Sequence, residues 1–226
     1  MKNILIIILF SFLPTLISSQ NSVTKIEDNR FIERKENKYG VTDSLKNIII
    51  PFKYDFIEYQ NRRLIIRKNK LNGLFSVNNE ELIPIEFEFI LPRKNDRFIL
   101  WKKGSLNGLC DNNGKILIPI NYKELYSTEN DDFYITENEK NLNGVYDVNG
   151  IKIIPEEYNF YTIDNYRIFA TKNSKPQIID LLNSKNTIQL DEKTELVATM
   201  RHYSMGESLF QIIKIGDKYI MEYCSD

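Results

Sequence analysis

A single histidine, His202, stands in this 226-residue chain, and it is the first filter on chemistry. A lone imidazole beside Ser204 or Ser208 would act as a general base toward a hydroxyl nucleophile. The stretch Arg201-His202-Tyr203-Ser204-Met205-Gly206-Glu207-Ser208 carries no nucleophile-elbow pattern, so His202 reads as a surface or turn residue. Paired carboxylates occur at Glu80-Glu81, Asp131-Asp132 and Glu156-Glu157. A glycoside hydrolase needs two carboxyls facing across a cleft, about 5 to 10 Å apart. Neighbours on a strand point to opposite faces, and these pairs read as solvated loop ends. Asp111-Asn112-Asn113-Gly114 and Asp147-Val148-Asn149-Gly150 resemble pieces of a calcium loop but lack its later acidic ligand, so hairpin turns are expected. Zinc would need several His, Cys or carboxylate ligands at recognisable spacing, which is missing. No catalytic residue, metal ligand or cofactor is expected.

Binding chemistry has more material. The chain holds 13 Tyr and 13 Phe, and Tyr59, Trp101, Tyr126, Tyr134, Tyr161 and Tyr166 fall outside any repeated position. Exposed on one rim they would form a protein or glycan contact surface; buried, they would be core. Basic residues cluster at Arg62, Arg63, Arg67, Lys68 and Lys70 and read as a solvated strand face. A net charge of -1 removes the electrostatic footprint of nucleic-acid binding. Cys110 and Cys224 have no metal-ligand spacing; a disulfide and separate burial both stay open.

What positions these residues is an internal repeat. Gly40-Val41-Thr42-Asp43 leads to Ile50-Pro51-Phe52-Lys53-Tyr54, and Gly73-Leu74-Phe75-Ser76 to Ile83-Pro84-Ile85-Glu86-Phe87. Gly108-Leu109-Cys110-Asp111 leads to Ile118-Pro119-Ile120-Asn121-Tyr122, and Gly144-Val145-Tyr146-Asp147 to Ile154-Pro155-Glu156-Glu157-Tyr158. Both the glycines and the prolines are spaced by 33, 35 and 36 residues. Glycine before an apolar residue suits a bulge or a close backbone approach, and Ile-rich runs form the returning strand. Proline is expected to end that strand because it cannot donate to a ladder. The aromatics after it (Tyr54, Phe87, Tyr122 and Tyr158) are expected to pack between units. Further strands precede each glycine at 31–34, 63–67, 98–102 and 133–136.

Asn37-Lys38-Tyr39-Gly40-Val41-Thr42-Asp43, followed by Ile49-Ile50-Pro51-Phe52-Lys53-Tyr54-Asp55, resembles the WG (KWG) repeat. The departure is at the name-giving tryptophan, whose place is taken by Tyr39, Asn72, Asn107 and Asn143. The resemblance implies a β-rich, often exported repeat array, propeller-like or an open superhelical stack. The fold expected is all-β, with about five to six short antiparallel units of three or four strands. Repeat cores are placed at 38–57, 71–90, 106–125 and 142–161, with a weak copy at 175–190 and a terminal hairpin at 208–223.

The N-terminus carries Met1-Lys2-Asn3, an apolar run from Ile4 to Leu13, then Pro14 and the small residues around Ser18-Ser19. This is the layout of a signal peptide over 1–19, leaving 20–226 as one domain. No cysteine follows that run, so a lipid anchor is not expected, and no other stretch reaches the about 20 apolar residues of a membrane span. The expectation is a secreted or periplasmic, non-enzymatic module that binds or scaffolds a protein or glycan. The alternative is a carbohydrate-active hydrolase on a propeller-like scaffold.

Overall fold

The computed structural model describes residues 23–104, 106–164, 166–173, 175–182, 187–189, 194–203, 207–215 and 218–224; side chains are described to residue 182, leaving out 105, 161–165, 174 and 176. The expected signal peptide lies outside these residues. Every element is a strand, and consecutive strands pair antiparallel as meanders. The first sheet holds β1 (Val23–Lys25), β2 (Phe31–Lys35), β3 (Lys38–Thr42) and β4 (Ile48–Tyr54). The second holds β5 (Phe56–Gln60), β6 (Arg63–Lys68), β7 (Leu71–Phe75) and β8 (Glu81–Phe87). The third holds β9 (Phe89–Arg93), β10 (Arg97–Lys102), β11 (Leu106–Asp111) and β12 (Ile116–Tyr122).

The fourth sheet comprises β13 (Glu124–Ser127), β14 (Phe133–Glu137), β15 (Asn143–Asp147) and the first half of β16 (Lys152–Asp164). The second half of β16 continues without a break into a fifth, with β17 (Arg167–Lys172), β18 (Lys175–Asp180) and β19 (Thr187–Gln189). The weak fifth copy is therefore a sheet. The expected terminal hairpin gains a strand to become β20 (Thr194–Tyr203), β21 (Glu207–Ile215) and β22 (Lys218–Cys224). Each four-stranded meander has the strand count of a propeller blade.

Leu64 to Ile66 of β6 and Phe98 to Leu100 of β10 are unbroken apolar runs because they are buried on both faces. Leu64 and Ile66 of β6 join Val41, Ile50 and Tyr54 of the first sheet, while Ile65 joins Phe98 and Leu100 of the third. On β10, Ile99 turns the other way, into a core with Tyr122, Leu125 and Tyr134. Cores thus lie between sheets. The aromatics after proline sit there as expected: Tyr54 meets Phe75 at 6.4 Å, Phe87 shares a core with Cys110, and Tyr122 meets Tyr146 at 5.9 Å.

Proline does not end the returning strand. Pro51, Pro84, Pro119 and Pro155 fall inside β4, β8, β12 and β16, where the register slips. Tyr39 pairs Tyr54 and Val41 pairs Ile50, so three residues, Pro51 among them, face Gly40 alone. Proline suits such a bulge because its missing N–H costs no ladder bond there. The bulge also explains the glycine. A Cβ on Gly108 would stand 2.9 Å from the Ile118 carbonyl oxygen, and Gly40, Gly73 and Gly144 meet the same obstacle.

The expected hairpin turns are turns. The Asp111 Oδ1 accepts the N–H groups of Asn113 and Lys115, each at 2.9 Å, and Asp147 Oδ1 accepts those of Asn149 and Ile151. Asp43 and Ser76 do the same at their own turns. These side chains are spent on backbone donors.

Candidate functional site

The meander gives each sheet two ends. One end gathers the turns at 43–47, 76–80, 111–115 and 147–151. The other gathers the hairpins at 36–37 and 69–70 and the residues linking one sheet to the next, Asp55, Glu88 and Lys123. We call them the turn rim and the junction rim.

The turn rim is stitched between sheets. Arg30 Nη2 donates to Asn78 Oδ1 at 3.0 Å, Arg63 donates to the Asn112 carbonyl and to Asn113 Oδ1, and Arg97 Nε donates to the Val148 carbonyl at 2.9 Å. Each arginine reaches from the start of one sheet's second strand to the turn of the next sheet. The Lys94 N–H donates to Asp131 Oδ2 at 2.8 Å, and Arg62 pairs with Asp96 at 3.1 Å. Part of the basic cluster is therefore structural rather than a solvated face, because these guanidiniums find turn acceptors one sheet away. Sequence reading missed the pattern, although Arg30, Arg63 and Arg97 recur at near-repeat spacing.

The junction rim is organised by the residue before each repeat glycine. Asn72 is 3% exposed, and its Nδ2 donates to the carbonyls of Phe87 (3.3 Å) and Glu88 (2.7 Å). Asn107 treats Tyr122 and Lys123 in the same way, at 3.3 and 2.8 Å. Asn143 uses its Oδ1 instead, accepting the Phe160 N–H at 3.0 Å. The Glu88 and Lys123 N–H groups donate forward, to the carbonyls of Trp101 and Glu137. Asparagine in the tryptophan position thus bonds the backbone where the chain leaves one sheet for the next, through carbonyls at Asn72 and Asn107 and through an N–H at Asn143.

Around these links lie rings and cations. Tyr39 meets Phe56 edge-on at 5.4 Å, with the Arg34 guanidinium 5.8 Å from the Tyr39 ring. Arg67 lies 5.5 Å over Phe56, and Phe89 meets Trp101 at 5.5 Å. Phe89 is 51% exposed and Trp101 39%. Ion pairs close the rim elsewhere: Lys38 with Asp55 at 2.6 Å, and Lys123 with Glu137 at 2.7 Å. The Lys38 ammonium, then the Asn69 N–H, holds the Asp55 carboxyl below its usual range. Among the described residues Arg67, Lys68 and Lys70 make no ion pair. Arg67, Lys70, Glu88 and Phe89 line a groove of about 390 Å³ between the second and third sheets. A second cavity of about 360 Å³ lies under Tyr39 and Phe56, beside Ile57 and Tyr59.

Other sequence-derived candidates disperse. The register sets His202 on β20 opposite Ser208 on β21, while their side chains, like those of Ser204, Tyr161 and Cys224, lie outside the described residues. Glu80 and Glu81 are exposed as expected. Asp131 is not a solvated loop end; it is buried because it caps the Lys94 N–H, while Asp132 accepts the Tyr166 hydroxyl at 2.6 Å. Glu156 is also largely buried, bonded to Lys152 at 2.6 Å and Thr136 at 3.1 Å, whereas Glu157 pairs with Lys172. Cys110 is a free thiol inside the core, pushed up to about 12 by burial. Of the six non-repeat aromatics, Trp101 and Tyr126 are exposed and Tyr134 is fully buried. Among the described residues no group of three or more His, Cys, Asp or Glu side chains could hold a metal ion.

Comparison with known proteins gives one family. The WG containing repeat matches residues 39–71 and 108–141. No curated protein matches the chain. Among solved structures, Kluyveromyces lactis Hsv2 is similar at 9% identity over 89% of this chain and 83% of that one, with a TM-score of 0.36. A eukaryotic initiation factor is similar at 10% identity over 85% and 59%, with a TM-score of 0.40. The WD40 β-propeller domain of Doa1 is similar at 11% identity over 90% and 78%, with a TM-score of 0.29. Likenesses this remote say nothing of function, and the sheet arrangement rests on the strand pairing above. The first matched region runs from the third strand of one sheet to the first residue of the third strand of the next, and the second stops in the turn just before that strand, so the sequence unit straddles the sheet boundary. The chain is an all-β repeat protein, two stretches of which match the WG containing repeat.

Proposed function

We propose that this protein is an exported, non-enzymatic binding module that holds a protein or glycan partner on its junction rim. One observation carries the reading: the arginines of the turn rim are consumed by bonds between sheets, whereas among the described residues the junction rim leaves Phe89 and Trp101 exposed and gives Arg67, Lys68 and Lys70 no ion pair. Exposed aromatics beside arginine are the residue types that dominate binding energy at interfaces. Export is supported by the basic start, apolar run and small residues of 1–19.

The test has two arms. N-terminal sequencing of protein recovered from the native host's envelope or medium should begin at Gln20. Immobilised protein should retain a partner from the envelope or culture supernatant, or a glycan, and a Phe89→Ser, Trp101→Ser double variant should lose it. Retention of nothing by the folded wild type would overturn the reading.

A further inference from the structure

The junction rim repeats its parts at successive boundaries. Arg34 pairs Tyr39 across β2 and β3, and Arg67 pairs Asn72 across β6 and β7. Phe56 and Phe89 each open the strand after the link. At the first boundary the sequence is therefore arginine, aromatic ring, phenylalanine, with Tyr39 lodged between Arg34 and Phe56 at 5.8 and 5.4 Å. At the second boundary the middle ring is gone. Asn72 turns inward to the backbone, its Oδ1 accepting from Arg67 Nε at 3.2 Å, and the groove of about 390 Å³ opens between Arg67 and Phe89. That volume falls within the roughly 300–1,000 Å³ of sites that take ligands.

Resting on the binding reading above, we propose that this groove receives an aromatic side chain from an acidic, extended segment of a partner protein. The ring takes the place that Tyr39 holds one boundary earlier, with Arg67 in the part of Arg34 and Phe89 in that of Phe56. The chain's own first boundary is the template for the fit. A guanidinium over one face and a ring at the edge suit the aromatic quadrupole. Charge selects what flanks the ring. Arg67 and Lys70 face the groove, against the single carboxylate of Glu88, so acidic neighbours are favoured and basic ones repelled.

The only tryptophan, Trp101, lies 5.5 Å from Phe89 and reports on occupancy. The probe is an acetylated aspartyl-tyrosyl-aspartyl amide, titrated into the full mature protein and followed by tryptophan fluorescence excited beyond tyrosine absorption. A saturable change is expected. The aspartyl-leucyl-aspartyl and lysyl-tyrosyl-lysyl counterparts should bind at least about tenfold more weakly. Asn72→Tyr should fill the groove from within and abolish binding while circular dichroism stays that of wild type. Arg67→Ala, at an exposed position, should weaken binding at least about fivefold and serves if N72Y does not fold. Equal binding of the leucyl peptide, unchanged binding by R67A, glucuronate binding as tightly as the tyrosyl peptide, or no binding of the tyrosyl peptide would each overturn the proposal. Recovery of the same partner by wild type and N72Y would sink this groove and leave the binding module standing. Peptide binding without any partner recovered would do the reverse.

Discussion

The Tyr122 and Tyr146 hydroxyls meet at 2.5 Å across the boundary between the third and fourth sheets. Tyr122 is also bonded to Glu156, and burial, ahead of these bonds, pushes its hydroxyl above the usual tyrosine range. Tyr146→Phe removes one of the two bonds of the Tyr122 hydroxyl and leaves that to Glu156, so it should cost about 0.5–1.5 kcal/mol in urea unfolding. Tyr134, one strand away, is the control. Its hydroxyl is buried without a partner among the described residues, so Tyr134→Phe should be neutral or stabilising by up to about 1 kcal/mol.

Two glycines should respond to alanine for different reasons. At Gly108 the new methyl meets the Ile118 carbonyl oxygen at 2.9 Å, and strand β12 must move, costing about 1–3 kcal/mol. At Gly104 nothing lies within 4 Å, but φ is +88°, so only the left-handed backbone is strained, at about 1 kcal/mol. Chemical denaturation of the two variants should rank Gly108→Ala below Gly104→Ala.

Arginines only four residues apart should separate folding from binding. Arg63→Ala removes the clamp on the third sheet's turn and should lower stability by about 1–2 kcal/mol. Arg67→Ala removes one bond within its own sheet, from Nε to Asn72 Oδ1 at 3.2 Å, and should cost less, about 0.5–1 kcal/mol. A reversal of that order would mean that the junction rim, not the turn rim, binds the sheets together.

Glu33 sets a pH dependence. Its Oε1 accepts from Lys46 at 2.5 Å and from Thr42 at 3.0 Å, in a position where the second and third sheets carry Ile66 and Leu100. The Lys46 bond, outweighing the opposing effect of burial, holds its carboxyl below the usual range. A depressed folded pKa stabilises the protein above the unfolded carboxylate pKa, and that stability is lost as pH falls through the folded value. Glu33→Gln should be less stable than wild type at neutral pH, with the gap closing as the medium passes below about pH 4.

The Cys110 thiol should be silent to iodoacetamide in the folded protein, since burial raises it to about 12 and closes access. In a Cys224→Ser background, alkylation should appear only as urea unfolds the chain. Alkylation at the rate of a free thiol in buffer would contradict its place in the core.

Most of the array was legible because its punctuation has physical causes. Gly40, Gly73, Gly108 and Gly144 mark a backbone crowding that no side chain tolerates, and Asp111 and Asp147 mark turns they themselves cap. Strands β5, β9 and β13 were harder to see, because the residues after each aromatic alternate weakly and carry charge. Pro51 was misread because a bulge within an edge strand and the end of a strand look alike in sequence. The junction groove was not legible at all. It depends on Asn72 turning inward, and an amide reads in sequence as a loop residue rather than as a missing ring. Nor does the order Arg30, Arg63, Arg97 disclose its meaning until the turns they hold are seen one sheet ahead.

Those arginine clamps have a consequence for how the molecule can change length. From Arg30 to Asn78, Arg63 to Asn113 and Arg97 to Val148, every hold passes from one sheet to the next and none skips a sheet. A segment of about 35 residues, cut at equivalent points, carries both the hand that grips and the turn that is gripped. Duplication or loss of such a segment leaves each remaining arginine with a turn to hold, so these bonds do not themselves fix the number of units.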